Sequence, residues 1–119
     1  MSWDIIRRRK GTQLGNEVCT VDGRSVYIPR HLLERIGLME AHRIAIEVNR
    51  NENKIRLRRP EPGEKSTNSL TRNKSGSKTP IKEALRQLGK KFPFLSTRLP
   101  AVIVENALVI SVDNLEDKA

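Results

Sequence analysis

Residues 22–38, with the sequence DGRSVYIPRHLLERIGL, constrain the fold of this chain more than any other stretch. The pair Asp22-Gly23 predicts a two-residue hairpin turn, because both residue types tolerate a positive φ. A strand follows, in which Val26 and Ile28 point to one face and the residue between them points to the other. We therefore predict a β-hairpin that leads straight into the next element.

A short helix is predicted immediately after this strand. Pro29 suits the first helical position, where its missing N–H costs nothing, and Gly37 suits the left-handed residue that ends a helix. A helix of about nine residues is too short to be stable alone in water, so it must pack on the strands. The side chains that would make this contact are Leu32, Leu33 and Ile36.

A second hairpin is predicted after the helix. Apolar residues alternate with charged residues on both sides of a polar turn at 49–53, a pattern typical of strands with one buried face. The apolar residues are Ile44, Ile46, Val48, Ile55 and Leu57. On the other face, Arg56, Arg58 and Arg59 are interpreted as a solvated surface balanced by Glu47 and Glu52.

This order of strand, Ile-Pro, short helix, Gly-Leu and hairpin resembles the AbrB/MazE/SpoVT family of swapped-hairpin DNA-binding proteins. The resemblance covers residues 16–60. It rests on Gly23, Val26, Ile28-Pro29, Leu32, Ile36-Gly37-Leu38, the strand with Ile44, Ile46 and Val48, and the return strand Lys54–Leu57. It implies a mainly β fold with short helices, in which two copies interleave their hairpins into a β-barrel homodimer.

Size supports the expectation of a dimer. A unit spanning residues 12–60 buries too little surface to be stable by itself, and it has no disulfide to help. Cys19 is the only cysteine in the chain, and we interpret it as a strand residue of a reduced, cytoplasmic protein.

The charge of the chain favours a polyanionic partner. The net charge is +9, and residues 1–59 supply 13 − 7 = +6 of it, from 13 Lys and Arg against 7 Asp and Glu. Residues 1–11 are predicted to form a basic arm along DNA phosphates, although a frayed basic tail would have the same composition. The candidate DNA-binding residues from charge are Arg7, Arg8, Arg9, Lys10 and Arg30.

The family resemblance adds two candidate DNA-binding residues, Arg24 and Tyr27. In that family, basic residues around the first strand and its following loop meet DNA. An arginine fork can grip a phosphate or a guanine with two hydrogen bonds, which a lysine cannot. Tyr27 has an equally good interpretation as an ordinary exposed aromatic residue of a strand.

Residues 61–79 are predicted to be a flexible linker, because Ser, Thr, Asn, Lys and Gly dominate and Leu70 is almost the only apolar residue. The lysines of this segment and Arg72 would add weak phosphate contacts. Residues 80–119 are predicted to form a helix–hairpin unit for multimerisation or partner binding. In this unit Thr79 and Pro80 start the helix, Gly89 ends it, and Glu105-Asn106 forms the hairpin turn. A helix followed by a hairpin also occurs at 30–58, but the residue matches are too poor to claim a repeat.

Enzyme chemistry is not indicated. His31 and His42 have no Cys or carboxylate cluster at metal-ligand spacing, Ser25 has no identifiable base, and there is no glycine-rich phosphate loop. We therefore expect no catalytic site, no metal and no cofactor. The chain also has no apolar run of membrane-spanning length, so a membrane partner is not expected.

The leading hypothesis is a DNA-binding transcriptional regulator or nucleoid-type protein, cytoplasmic and homodimeric or of higher order. Two alternatives stay open. One is an antitoxin that represses its own promoter and blocks a partner toxin with its C-terminal segment. The other is an RNA- or ribosome-associated basic protein, for which the low aromatic content, with Trp, Tyr and Phe together 3% of the chain, is a poor fit.

Overall fold

Residues 17–118 are described by the computed structural model, and most of their regular structure is β-strand. The strands are β1 (Val18–Asp22), β2 (Ser25–Pro29), β3 (Arg43–Asn49), β4 (Lys54–Arg58), β5 (Asn68–Ser69), β6 (Thr71–Asn73), β7 (Gly76–Pro80), β8 (Thr97–Val104) and β9 (Ala107–Ser111). The helices are α1 (Arg30–Arg35) and α2 (Lys82–Leu88). The predicted class, mainly β with short helices, is confirmed.

The described strands form one antiparallel sheet that curls into a nearly closed barrel. Its order is β5-β3-β4-β9-β8-β1-β2-β7-β6. The two outermost strands, β5 and β6, are consecutive along the chain and are separated only by Leu70. The Leu70 N–H donates to the His42 carbonyl at 2.9 Å, which holds this junction against the start of β3. The chain therefore bends at Leu70 and joins the two ends of the sheet.

The same series of elements occurs twice in the chain: strand, strand, helix, strand, strand. The first half contains β1, β2, α1, β3 and β4, and the second half contains β5 with β6, then β7, α2, β8 and β9. Matching hydrogen bonds relate the halves. The Arg30 N–H donates to the Ser75 carbonyl at 3.0 Å, and the Ile81 N–H donates to the Arg24 carbonyl at 3.0 Å. A pseudo-twofold axis thus relates the two halves.

The halves exchange hairpins across this axis. Strand β8 of the second half pairs with β1 of the first, and β3 of the first half pairs with β5 of the second. Equivalent strands meet at two seams, β2 with β7 and β4 with β9. The strands that a second copy was expected to supply therefore come from the second half of the same chain.

The core lies inside the barrel and is aliphatic. At the β4–β9 seam, Leu57 lies opposite Leu108 and Ile55 lies opposite Ile110, and all four are buried. Helix α1 closes the core from one half with Leu32 and Leu33, and α2 contributes Ala84 and Leu85 from the other. Other fully buried side chains are Cys19, Val21, Val26, Ile28, Leu38, Ile44 and Leu99. Both halves thus build one shared core.

The prediction of a flexible linker at 61–79 is wrong. Strands β5 and β6 and most of β7 lie in this segment, and β7 pairs with β2 on one side and with β6 on the other. The polar composition of this segment suggested disorder because the side chains that β7 directs inward, those of Ser77 and Thr79, are small and polar, although both are buried. Backbone pairing on both sides orders a strand that contributes little apolar surface.

The separate C-terminal unit predicted at 80–119 is also wrong. Its hairpin exists, with Glu105 and Asn106 in the turn at φ values of 51° and 66°, as predicted. However, β8 and β9 lie in the middle of the common sheet and contribute to the common core. A helix and one hairpin cannot bury enough surface to be stable alone, so this segment packs with the first half of the chain.

The helices begin later than the sequence predicts. Pro29 is extended, with φ −60° and ψ 150°, and precedes α1, and Thr79 and Pro80 stay within β7 while α2 begins at Lys82. Both helices end as predicted, with Gly37 at φ 74° and Gly89 at φ 69°. The predicted basic arm, residues 1–11, lies outside the described residues.

Candidate nucleic-acid interface

The outward side of the β2–β7 seam carries a row of polar side chains across five neighbouring strands. In register, the row runs Arg98 on β8, Thr20 on β1, Tyr27 on β2, Lys78 on β7 and Thr71 on β6. We call this outward surface, with the turns at its two ends, the β2–β7 face. Neighbouring strands lie about 4.8 Å apart, so the row spans about 19 Å along the sheet.

Tyr27 lies at the centre of this face and also has a structural role. Its hydroxyl donates to the Ser75 Oγ at 2.6 Å and so ties β2 to the β6–β7 turn. Its ring lies over Gly76, where an added Cβ would approach the Tyr27 Oη to 2.8 Å. The side chain is half-buried, so only part of the ring is available to a ligand.

Arg24 and Lys74 lie at opposite ends of the β2–β7 face. Arg24 belongs to the β1–β2 turn and Lys74 to the β6–β7 turn, and both side chains are exposed. The Arg24 carbonyl accepts a hydrogen bond from the Ile81 N–H, and the carbonyl of Ser75, next to Lys74, accepts one from the Arg30 N–H, so the backbone of both turns is held at the start of the other half's helix. Arg30 and Arg72 line a shallow depression next to Lys74, so three cations gather at that end, together with the acidic side chain of Glu40.

Most cations of the β2–β7 face have no acidic partner among the described residues; the exception is Arg72, whose guanidinium lies 3.9 Å from the exposed Glu40 carboxylate. No ion pair there involves Arg24, Arg30, Lys74, Lys78 or Arg98. Within β1, β2, β6, β7 and residues 97–100, Asp22 is the one acidic residue. A predominantly positive surface of this kind attracts polyanions.

The opposite side of the barrel, around the β4–β9 seam, is internally neutralised. The Arg58 guanidinium lies 2.8 Å from the Glu64 carboxylate and 3.1 Å from that of Glu47, and the Arg56 Nε donates to Glu47 at 2.6 Å. Burial raises the pKa of Glu47, but the hydrogen bonds from Arg58 and Arg56 outweigh it and hold that pKa below its ordinary value. Glu64 takes the place that the sequence interpretation gave to Glu52, which instead lies 3.3 Å from Lys54.

Of the sequence-based candidates, Tyr27 lies at the centre of the β2–β7 face, and Arg24 and Arg30 lie at its opposite ends. Arg7, Arg8, Arg9 and Lys10 lie outside the described residues. Lys74 and Lys78 had been assigned only weak contacts, because their segment was interpreted as a linker. Sequence reasoning missed Arg98, although residues 97–101 alternate Thr, Arg, Leu, Pro, Ala in the manner of a half-exposed strand.

The described residues hold neither a candidate metal cluster nor a membrane-spanning helix. Among residues 17–118, no group of three or more His, Cys, Asp or Glu lies close enough to hold a metal ion. His31 is exposed with its Nε2 at 3.8 Å from the Glu17 carboxylate, and His42 is exposed in the connection before β3. None of the described helices has the length and apolar character needed to cross a membrane.

Comparison of the chain with protein-family models, with curated proteins and with solved structures finds no match. The functional interpretation therefore rests on the geometry and the charges of the β2–β7 face.

Proposed function

We propose that this chain is a DNA-binding transcriptional regulator or nucleoid-type protein of the swapped-hairpin kind that its sequence resembles. The observation that carries the proposal is the unbalanced positive charge of the β2–β7 face, set against a neutralised opposite side. The exchange of hairpins between the two halves adds support, because the resemblance implies the same exchange between two copies.

In this proposal, duplex DNA lies across the β2–β7 face. Lys74, Lys78 and Arg98 contact phosphates, which fixes the position of the protein but carries little sequence information. Arg24 projects from a turn whose backbone is held in place, so its guanidinium is suited to a base edge or a phosphate pair. Residues 7–10 add further phosphate contacts from the arm. Arg30 lies at the edge of the footprint.

The acting unit in this proposal is one chain. Its two halves already provide the paired surfaces that a homodimer provides with two copies, so association into dimers or tetramers is not needed for a bipartite footprint. The antitoxin alternative gains no support from the fold, because the C-terminal hairpin that would wrap a toxin is paired on both sides within the sheet.

The test is a fluorescence-anisotropy titration of a labelled duplex with the full chain at about 50 mM and about 200 mM salt. We expect salt-sensitive binding that unlabelled RNA of equal length does not displace. The triple variant Arg24→Ala, Lys78→Ala, Arg98→Ala removes three phosphate-contacting charges. It should reduce the slope of log K against log salt by up to about 3.

The single variant Arg50→Ala is the control for the single variant Arg24→Ala, because each removes one positive charge from a turn. It removes a positive charge from the exposed β3–β4 turn, on the neutralised side of the barrel, and should leave DNA affinity unchanged. Circular dichroism and thermal melting establish that all variants are folded. Equal weakening by the control, or ready displacement of the duplex by RNA, would count against the proposal and favour the RNA-associated alternative.

A further inference from the structure

The pseudo-twofold axis passes through the β2–β7 face. Tyr27 lies opposite Lys78, and these two residues occupy the same place in their respective halves: Thr20 pairs with Tyr27 in the first hairpin, and Thr71 pairs with Lys78 in the second. The axis therefore runs between Tyr27 and Lys78. A ligand centred on this face meets one half of the chain on each side of the axis.

The backbones of the two halves match at this face, but their side chains do not. Gly23 of the first turn corresponds to Lys74 of the second, and Arg24 corresponds to Ser75. These turns occupy equivalent positions, since each accepts a backbone hydrogen bond at the same 3.0 Å from the residue at the start of the other half's helix. Equivalent scaffolds thus present different chemistry.

The difference between the halves is one of kind as well as of position. An arginine fork can recognise a guanine edge or a phosphate with two parallel hydrogen bonds, whereas a lysine acts as a point charge. The first half directs Arg24 toward one end of the face, and the second half directs Lys74 toward the other. The connection before β8 also exposes Phe94 completely, whereas its counterpart before β3 carries the half-buried Met39 packed against the core.

A symmetric dimer reads a palindromic site, because the operator mirrors the twofold axis of the protein. This chain has a twofold arrangement of its backbone, but the side chains of its two halves differ. We propose that one chain binds one asymmetric, non-palindromic duplex site in a single orientation, with Arg24 on one side of the centre and Lys74 on the other. This inference rests on the proposed DNA-binding function.

The experiment uses two full-length variants, Thr20→Cys and Thr71→Cys, which place a thiol at equivalent positions of the two halves. The native Cys19 is buried, so the introduced thiol is modified selectively with an iron–EDTA hydroxyl-radical reagent. A duplex site is first selected from a random library with the unmodified chain. Each labelled protein is then bound to that duplex, and the cleaved positions are mapped.

We expect the selected site to be non-palindromic, with the Thr20→Cys reagent cutting only on one side of its centre and the Thr71→Cys reagent cutting only on the other. A stoichiometric titration should give one chain per duplex. A palindromic site, or cleavage on both sides by each reagent, would overturn the inference while leaving DNA binding intact. Failure of the unmodified chain to select or bind any duplex at low salt would instead overturn the proposed function, and the inference with it.

Discussion

Tyr27 on β2 lies directly opposite Lys78 on β7, and the two residues are at equivalent positions in the two halves of the chain. The pair marks the pseudo-twofold axis of the chain. At this seam β2 of the first half pairs with β7 of the second half. At the other seam β4 of the first half pairs with β9 of the second half. Each half therefore depends on the other for its strand pairing.

This dependence predicts the behaviour of half of the chain. A fragment of residues 1–60 loses the partners of β1, β2 and β4, and a domain of about 60 residues is only marginally stable even with a complete core. We expect the fragment to fold only as a dimer, in which a second copy supplies the missing strands. Light scattering and circular dichroism over a dilution series will measure this, and a folded monomer would contradict it.

The halves also differ at Thr79, and this difference suggests a stabilising substitution. Its Oγ1 is buried and has no hydrogen-bond partner among the described residues, while the equivalent residue of the first half is the apolar Ile28. The nearly isosteric change Thr79→Val removes the unsatisfied hydroxyl and should stabilise the chain by about 1 kcal/mol. Urea denaturation measures the gain, and Thr71→Val on the exposed surface should give none.

Gly76 permits the close approach of β2 and β7. A Cβ at this position would lie 2.2 Å from the Ile28 carbonyl oxygen, which is backbone and cannot move aside cheaply. The variant Gly76→Ala should therefore be destabilised by about 3 kcal/mol, the upper end of the usual cost of overpacking. In the matched change Gly23→Ala, the added Cβ meets no atom within 4 Å, and the only unfavourable feature is the φ of +66°. This change should therefore lower the stability by about 1 kcal/mol. Comparable melting temperatures for the two variants would refute this ranking.

Cys19 should be chemically inert in the folded chain. Burial, with a smaller contribution from the charge of Glu17, raises the pKa of its thiol to about 12. Because the thiolate is the reactive form, a disulfide reagent should modify Cys19 only after denaturant has unfolded the chain. Absorbance of the released thiol product follows the reaction, and rapid modification under native conditions would show that β1 opens locally.

The Arg58 cluster predicts sensitivity of the fold to acid. Hydrogen bonds from Arg58 lower the pKa of Glu64, and together with those from Arg56 they overcome the effect of burial and lower that of Glu47. A pKa that is lower in the folded state gives stability that is complete above the ordinary value of 4.5 and is lost as the pH falls through the folded value. The urea midpoint should therefore drop on acidification, and it should drop less in Arg58→Gln. An identical drop in both proteins would exclude this cluster as the cause.

Local patterns in the sequence predicted the local elements well. The turn at Asp22-Gly23, the alternation in β3 and β4, and the left-handed glycines that end both helices are encoded by neighbouring residues. Strand β7 was missed because its order comes from pairing with β2, about 50 residues away in the sequence, rather than from its own composition. For the same reason Lys78 and Arg98 could not be placed beside Tyr27, because only the barrel register brings them together.

The joining of both halves into one polypeptide changes how the barrel responds to dilution. A barrel built from two separate chains dissociates when the protein becomes scarce, because its formation is bimolecular. Here the connection between Arg58 and Asn68 keeps the second half permanently near the first, so closure depends on an effective local concentration and not on cellular abundance. A single molecule in a cell would therefore carry a complete β2–β7 face.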